Sequence, residues 1–193
     1  MTLTERVKNI LVQPRQEWEV IARERSTVAE AYKSYVIPLA AIGPVASVIG
    51  LSVIGFGVPT VGRYRVPIGA SIVQAIVTFA LSLAAVYVLA LIIDALAPTF
   101  SGQKNQVQAF KLAAYSSTAA WLAGIFGLIP ALGFLAILGL YSLYLLYVGV
   151  PVLMKVPESK VMGYTVAVII AAIVLFVLVA VVGGMMLPAP TFR

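Results

Sequence analysis

Between Tyr35 and Met186 the chain carries two acidic residues, Asp94 and Glu158, and the stretches between its sparse Lys and Arg residues are runs of Leu, Ile, Val and Ala. A soluble domain of this size has too little interior to hide so much apolar surface. In lipid the same surface costs nothing, and the backbone must then satisfy its own hydrogen bonds, which leaves helices as the spanning element. The chain therefore reads as all-α: a polytopic integral membrane protein with five transmembrane helices behind a short amphipathic N-terminal region.

Composition narrows the chemistry. Of 193 residues, 62% are hydrophobic and 10% charged, against about 25% charged in ordinary soluble domains. Cysteine and histidine are both absent, which removes thiol nucleophiles, thiolate metal sites and the commonest general base. No phosphate loop, dinucleotide loop or metal-spaced cluster occurs, so the expectation is a protein that is not an enzyme and that carries no cofactor or metal. The net charge of +6 does not point to nucleic acid, because the basic residues sit at segment ends rather than on one face.

Residues 1–35 form the polar stretch. Leu3, Val7, Ile10 and Leu11 recur at helical spacing, with Glu5, Arg6 and Lys8 assigned to the opposite side. Pro14 suits the first turn of a second helix carrying Trp18 and Ile21. Thr27 and Glu30 fit a capping box that opens a third. Arg15, Trp18 and Ile21 suit a membrane-surface or partner contact, Trp being an interfacial residue. A solvated lid over the helix ends is the plainer alternative.

The apolar segments are 36–58, 68–93, 110–129, 134–153 and 164–187, and about 20 residues suffice to cross the hydrocarbon core. With the N-terminus inside, ten Lys and Arg residues fall on the cytoplasmic side (Arg6, Lys8, Arg15, Arg23, Arg25, Lys33, Lys104, Lys111, Lys155, Lys160), and three fall outside (Arg63, Arg65, Arg193). That bias selects N-in and C-out.

Three features inside the apolar region carry polar chemistry. Asp94 ends the second segment in Asp94-Ala95-Leu96-Ala97-Pro98, with Lys111 as a candidate partner; the pair could hold a cation or proton, or Asp94 could cap the turn before Pro98. The third segment holds Tyr115, Ser116, Ser117 and Thr118, together with small residues at four-residue spacing: Ala109, Ala113, Ser117 and, beside them, Ser116, Ala120, Gly124. Such ridges allow close helix approach, or could line a substrate path. Tyr141, Tyr144 and Tyr147 step along the fourth segment, and Tyr141 needs a protein partner for its hydroxyl.

The order of these features resembles the Yip domain family, the Ypt-interacting proteins and their prokaryotic relatives, over nearly the whole chain. The resemblance runs from Gln13-Pro14-Arg15-Gln16-Glu17-Trp18 through Tyr35-Val36-Ile37-Pro38-Leu39. It continues through Asp94-Ala95-Leu96-Ala97-Pro98 to its densest part, Ala109-Phe110-Lys111-Leu112-Ala113-Ala114-Tyr115-Ser116, and ends in Met154-Lys155-Val156-Pro157. Eukaryotic members carry Asp-Leu-Tyr-Gly-Pro after the second span, of which only Asp94 and Pro98 match, so the chain is more similar to the prokaryotic branch. The resemblance implies five spans with a cytoplasmic N-terminal region, and the expected location is a bacterial inner membrane. For eukaryotic relatives it implies vesicle traffic and membrane shaping. The expected function is that of a membrane protein that binds or organises partner proteins or lipids, working with the bilayer and with a membrane partner or a second copy. A small transporter or channel is the alternative.

Overall fold

The computed structural model describes residues 1–58 and 62–185. Helix α1 (Leu3–Val12) opens with a capping box in which the Thr2 side chain accepts from the Glu5 backbone and Glu5 answers to the Thr2 backbone, holding the Glu5 carboxyl below its usual range. Helix α2 (Pro14–Arg23) starts on proline, whose missing N–H is an orphan at that position anyway. The Thr27 and Glu30 capping box then starts α3 (Val28–Ile54).

The expected first span, 36–58, is therefore displaced towards the N-terminus. It stops at Gly55, whose φ of 71° suits glycine, and a short antiparallel hairpin of β1 (Phe56–Val58) and β2 (Gly62–Tyr64) follows. Helix α4 (Ile68–Phe100) is 33 residues long and outruns the expected 68–93. Helix α7 (Pro130–Leu153) and helix α8 (Glu158–Met185) correspond to the expected fourth and fifth segments, although residues 186 and 187 lie outside the described part. These four helices are long and apolar enough to cross a membrane.

The expected third span is the correction. Residues 106–128 do not form one helix of spanning length: α5 (Gln106–Ser116) ends at Ser117, α6 (Thr118–Ala123) follows, and Gly124–Leu128 winds as a 3₁₀ helix. The hydroxyl of Ser117 donates back to the Ala113 carbonyl at 2.8 Å, a bond that competes with the helix ladder. Among the described residues the count of five single helices becomes four, with a broken segment between α4 and α7. The all-α, polytopic character stands.

Packing is uneven. The large, fully buried side chains Ile10, Trp18, Ile21, Phe110, Leu112, Leu145, Met154 and Tyr164 belong to one continuous cluster, in which α2 packs on α7, α7 on α5, and Tyr164 of α8 against Phe100 of α4. Neither Gly124–Leu128 nor Pro130–Leu140 buries a residue, and Phe134, Ile137, Phe176 and Leu178 are exposed. Contiguous apolar surface of this extent favours hydrocarbon over water. The closed core thus belongs to the polar end of the molecule, and the loose half belongs to lipid.

Candidate functional site

Helices α1 and α2 are docked into the bundle, and polar bonds hold them there. The Trp18 indole donates to the Leu145 carbonyl at 3.1 Å, and its ring fills the space over Gly149, where a β-carbon would lie 2.7 Å from it. Trp18 and Ile21 are both fully buried, so the surface-lying arrangement expected for them is corrected; Arg15 alone of that set remains exposed. The Tyr141 hydroxyl donates to the Leu11 carbonyl at 2.9 Å, which supplies the protein partner expected for it.

Beside Trp18 lies a buried cluster of charge. The Arg6 guanidinium pairs with Glu17 at 2.5 Å and also with Glu24, and its centre stands 5.7 Å from the centroid of the Tyr115 ring. Arg6 was assigned to the outer side of α1, yet it is 6% exposed and Glu17 is 4% exposed. The reason is visible in the spacing. Leu3, Arg6 and Ile10 are three and then four residues apart, which puts Arg6 on the buried stripe, and Glu17 lies likewise between Pro14 and Ile21.

Lys111 completes the cluster from α5. Its ammonium donates to the Ile21 carbonyl at 3.0 Å and the Glu24 carbonyl at 2.6 Å, and the Gln108 amide donates to the Ala22 carbonyl at 3.0 Å. The last carbonyls of a helix have no partner within it and carry its negative end. A cation and an amide of α5 thus cap α2 from outside. Arg6, Lys111, Glu17 and Glu24 sum to zero formal charge, with Glu24 the partly exposed member of the four.

Tyr115 and Ser116 sit in the same junction. Tyr115 packs edge-on to Trp18 at 6.4 Å and against Tyr35 at 4.4 Å between centroids. The Tyr35 hydroxyl meets Thr118 Oγ1 at 2.6 Å, and Thr118 donates to the Tyr115 carbonyl at 2.6 Å. Ser116 is buried and bonds locally to Ala113. The small-residue ridge is a packing surface: a β-carbon on Gly124 would lie 2.8 Å from the Gly43 Cα, and one on Gly139 would lie 3.2 Å from the Ala120 Cα.

Asp94 neither pairs with Lys111 nor caps the turn. It forms no ion pair with Lys111, which is spent on α2. Nor does it cap the turn, since its Oδ1 is buried without a hydrogen-bond partner among the described residues. The following 3₁₀ turn has no side-chain cap, and Pro98 is exposed. The adjacent Ile93 carbonyl instead receives the Tyr164 hydroxyl at 2.5 Å.

The family model described as the Yip1 domain matches residues 8–181. Among known proteins, the inner membrane protein YohC of Escherichia coli K12 is 28% identical over 174 residues, covering 86% of this chain and 88% of its own. YohC of Escherichia coli O6:H1 strain CFT073 gives the same figures. No solved structure matches.

Proposed function

The chain belongs to the Yip1 domain family, and we propose that it is a non-enzymatic protein of a bacterial inner membrane that binds or organises partner proteins or lipids. Its N-terminal helices face the cytoplasm. The inner-membrane relative in Escherichia coli supports the location, and the Lys and Arg distribution supports the orientation. One observation carries the reading. The buried charged side chains Arg6, Glu17 and Lys111, together with Trp18, are consumed in joining α1 and α2 to the bundle: Arg6 to Glu17 and Glu24, Lys111 to two carbonyls, and Trp18 to a third. Groups engaged in this way are poor acids, bases or ligands, whereas a rigid, neutral platform with apolar flanks suits binding.

Purification from native membranes in mild detergent, followed by mass spectrometry, tests this reading. A stoichiometric protein partner or a retained lipid class supports it, and turnover of a substrate by the purified protein overturns it. The transporter alternative draws support from the break at Ser117 and Gly124, because interrupted helices mark transport paths. A cysteine placed at Ser117 would react with a water-soluble reagent if a path opens there, and protection of that position favours the binder.

A further inference from the structure

Two loops at the polar end are fastened together by their backbones. The Gln103 N–H donates to the Met154 carbonyl at 2.8 Å. Gly102 approaches so closely that a β-carbon there would lie 2.8 Å from both the Met154 oxygen and Val156 Cγ2. This contact brings the loop that carries Lys104, next to Gln103, beside the loop that carries Lys155, next to Met154. Lys160 reaches across to the first loop, its ammonium 2.8 Å from Ser101 Oγ.

All three lysines are exposed, and none forms an ion pair with a described residue. Glu158 is the one carboxylate in residues 99–105 and 154–160, which leaves an excess of positive charge. Lys155 also holds a left-handed backbone, with φ at 55°, a conformation that costs any residue with a β-carbon. Strain of that kind gathers at functional positions. Glycine would relieve it and lose the charge. Apolar surface begins directly beyond the loops, since α8 leaves Met162 62% and Val166 47% exposed within its first turns.

We propose that these loops form a binding site for the phosphate of an anionic phospholipid. Lys104, Lys155 and Lys160 supply the charge, and the Ser101 hydroxyl supplies a neutral donor. A phospholipid answers both halves of the surface, its phosphate meeting the ammonium groups and its chains lying on the apolar flank, whereas a free anion would use only the first. The site names a ligand class for the lipid-binding arm of the function proposed above and rests on that arm.

The test is thermal unfolding of the full chain in neutral detergent, titrated separately with phosphatidylglycerol, phosphatidylcholine and inorganic phosphate. Phosphatidylglycerol should raise the melting temperature saturably, and the other two should not. Replacing Lys104, Lys155 and Lys160 together by Gln should weaken the apparent affinity about 100-fold, at about fivefold for each lysine near an anionic surface, with the lipid-free melting temperature unchanged. Arg25→Gln, at an exposed position outside these loops, should leave the affinity as it was. Lys155→Gly should raise the lipid-free melting temperature while weakening phosphatidylglycerol binding about fivefold, a divergence that a purely structural lysine would not give. Equal responses to the two lipids, undiminished affinity in the triple variant, or saturation by phosphate alone would overturn the site. A protein partner that still co-purifies after such a failure would leave the broader function standing.

Discussion

Glu17 and Glu19 are two residues apart on one helix and have opposite fates. Glu17 faces inward and pairs with a buried Arg6 at 2.5 Å. Glu19 meets Arg23 at 3.7 Å with both side chains largely exposed. Removing one partner of a buried pair strands the other charge and costs about 3 kcal/mol, whereas an exposed pair contributes about 0.5 kcal/mol or less. Glu17→Ala should therefore lower the melting temperature in mild detergent far more than Glu19→Ala, and equal effects would show that α1 and α2 are not docked. Part of this was legible beforehand, since Arg6 shares the stripe of Leu3 and Ile10. It went unread because a charge in a polar stretch is ordinarily solvated, and only the carboxylates of α2, brought in by folding, make its burial affordable. Asp94 carries the opposite lesson. A carboxylate near the end of a span invites a pair or a cap, but with Oδ1 unpartnered there is no bond to lose. Asp94→Ala should thus cost less than about 0.5 kcal/mol, below the usual range for a lost helix cap; a larger loss in the same melting assay would restore the capping role.

At the scale of elements, the existence of the apolar segments was readable from hydropathy, and their continuity was not. Residues 110–129 have the length of a span, yet composition does not register which hydrogen bonds the backbone chooses. The helix breaks at Ser117, and Gly124 turns 3₁₀ where it meets α3 at Gly43. The ridge of small residues did announce this contact, because backbones approach so closely only where side chains are absent. Gly124→Leu should force α3 away and cost about 1–3 kcal/mol, the usual penalty of overfilling a packed contact. Leu138→Ala should be nearly neutral, since Leu138 is 57% exposed on a flank that hydrocarbon covers. Thermal unfolding of both variants in one detergent compares them directly, and equal melting temperatures would contradict the close contact.

For the whole molecule, the decisive asymmetry is between a closed polar end and an open apolar one, and it bears on orientation. The junction of α1, α2, α5 and α7 shares its end of the bundle with the loops that carry Lys104, Lys155 and Lys160, while Arg65 follows the hairpin after α3. Basic loops stay in the cytoplasm, so Lys104 should lie inside and Arg65 outside. The absence of cysteine from the chain makes this simple to measure, because any single introduced thiol is the only one to label. Both positions are exposed, which leaves the reagent unhindered at either. In intact cells a membrane-impermeant maleimide should modify Arg65→Cys and spare Lys104→Cys, and disruption of the membrane should let both react. Labelling of Lys104→Cys alone in intact cells would invert the molecule, placing the docked N-terminal helices on the outer face and removing the basis for a cytoplasmic platform.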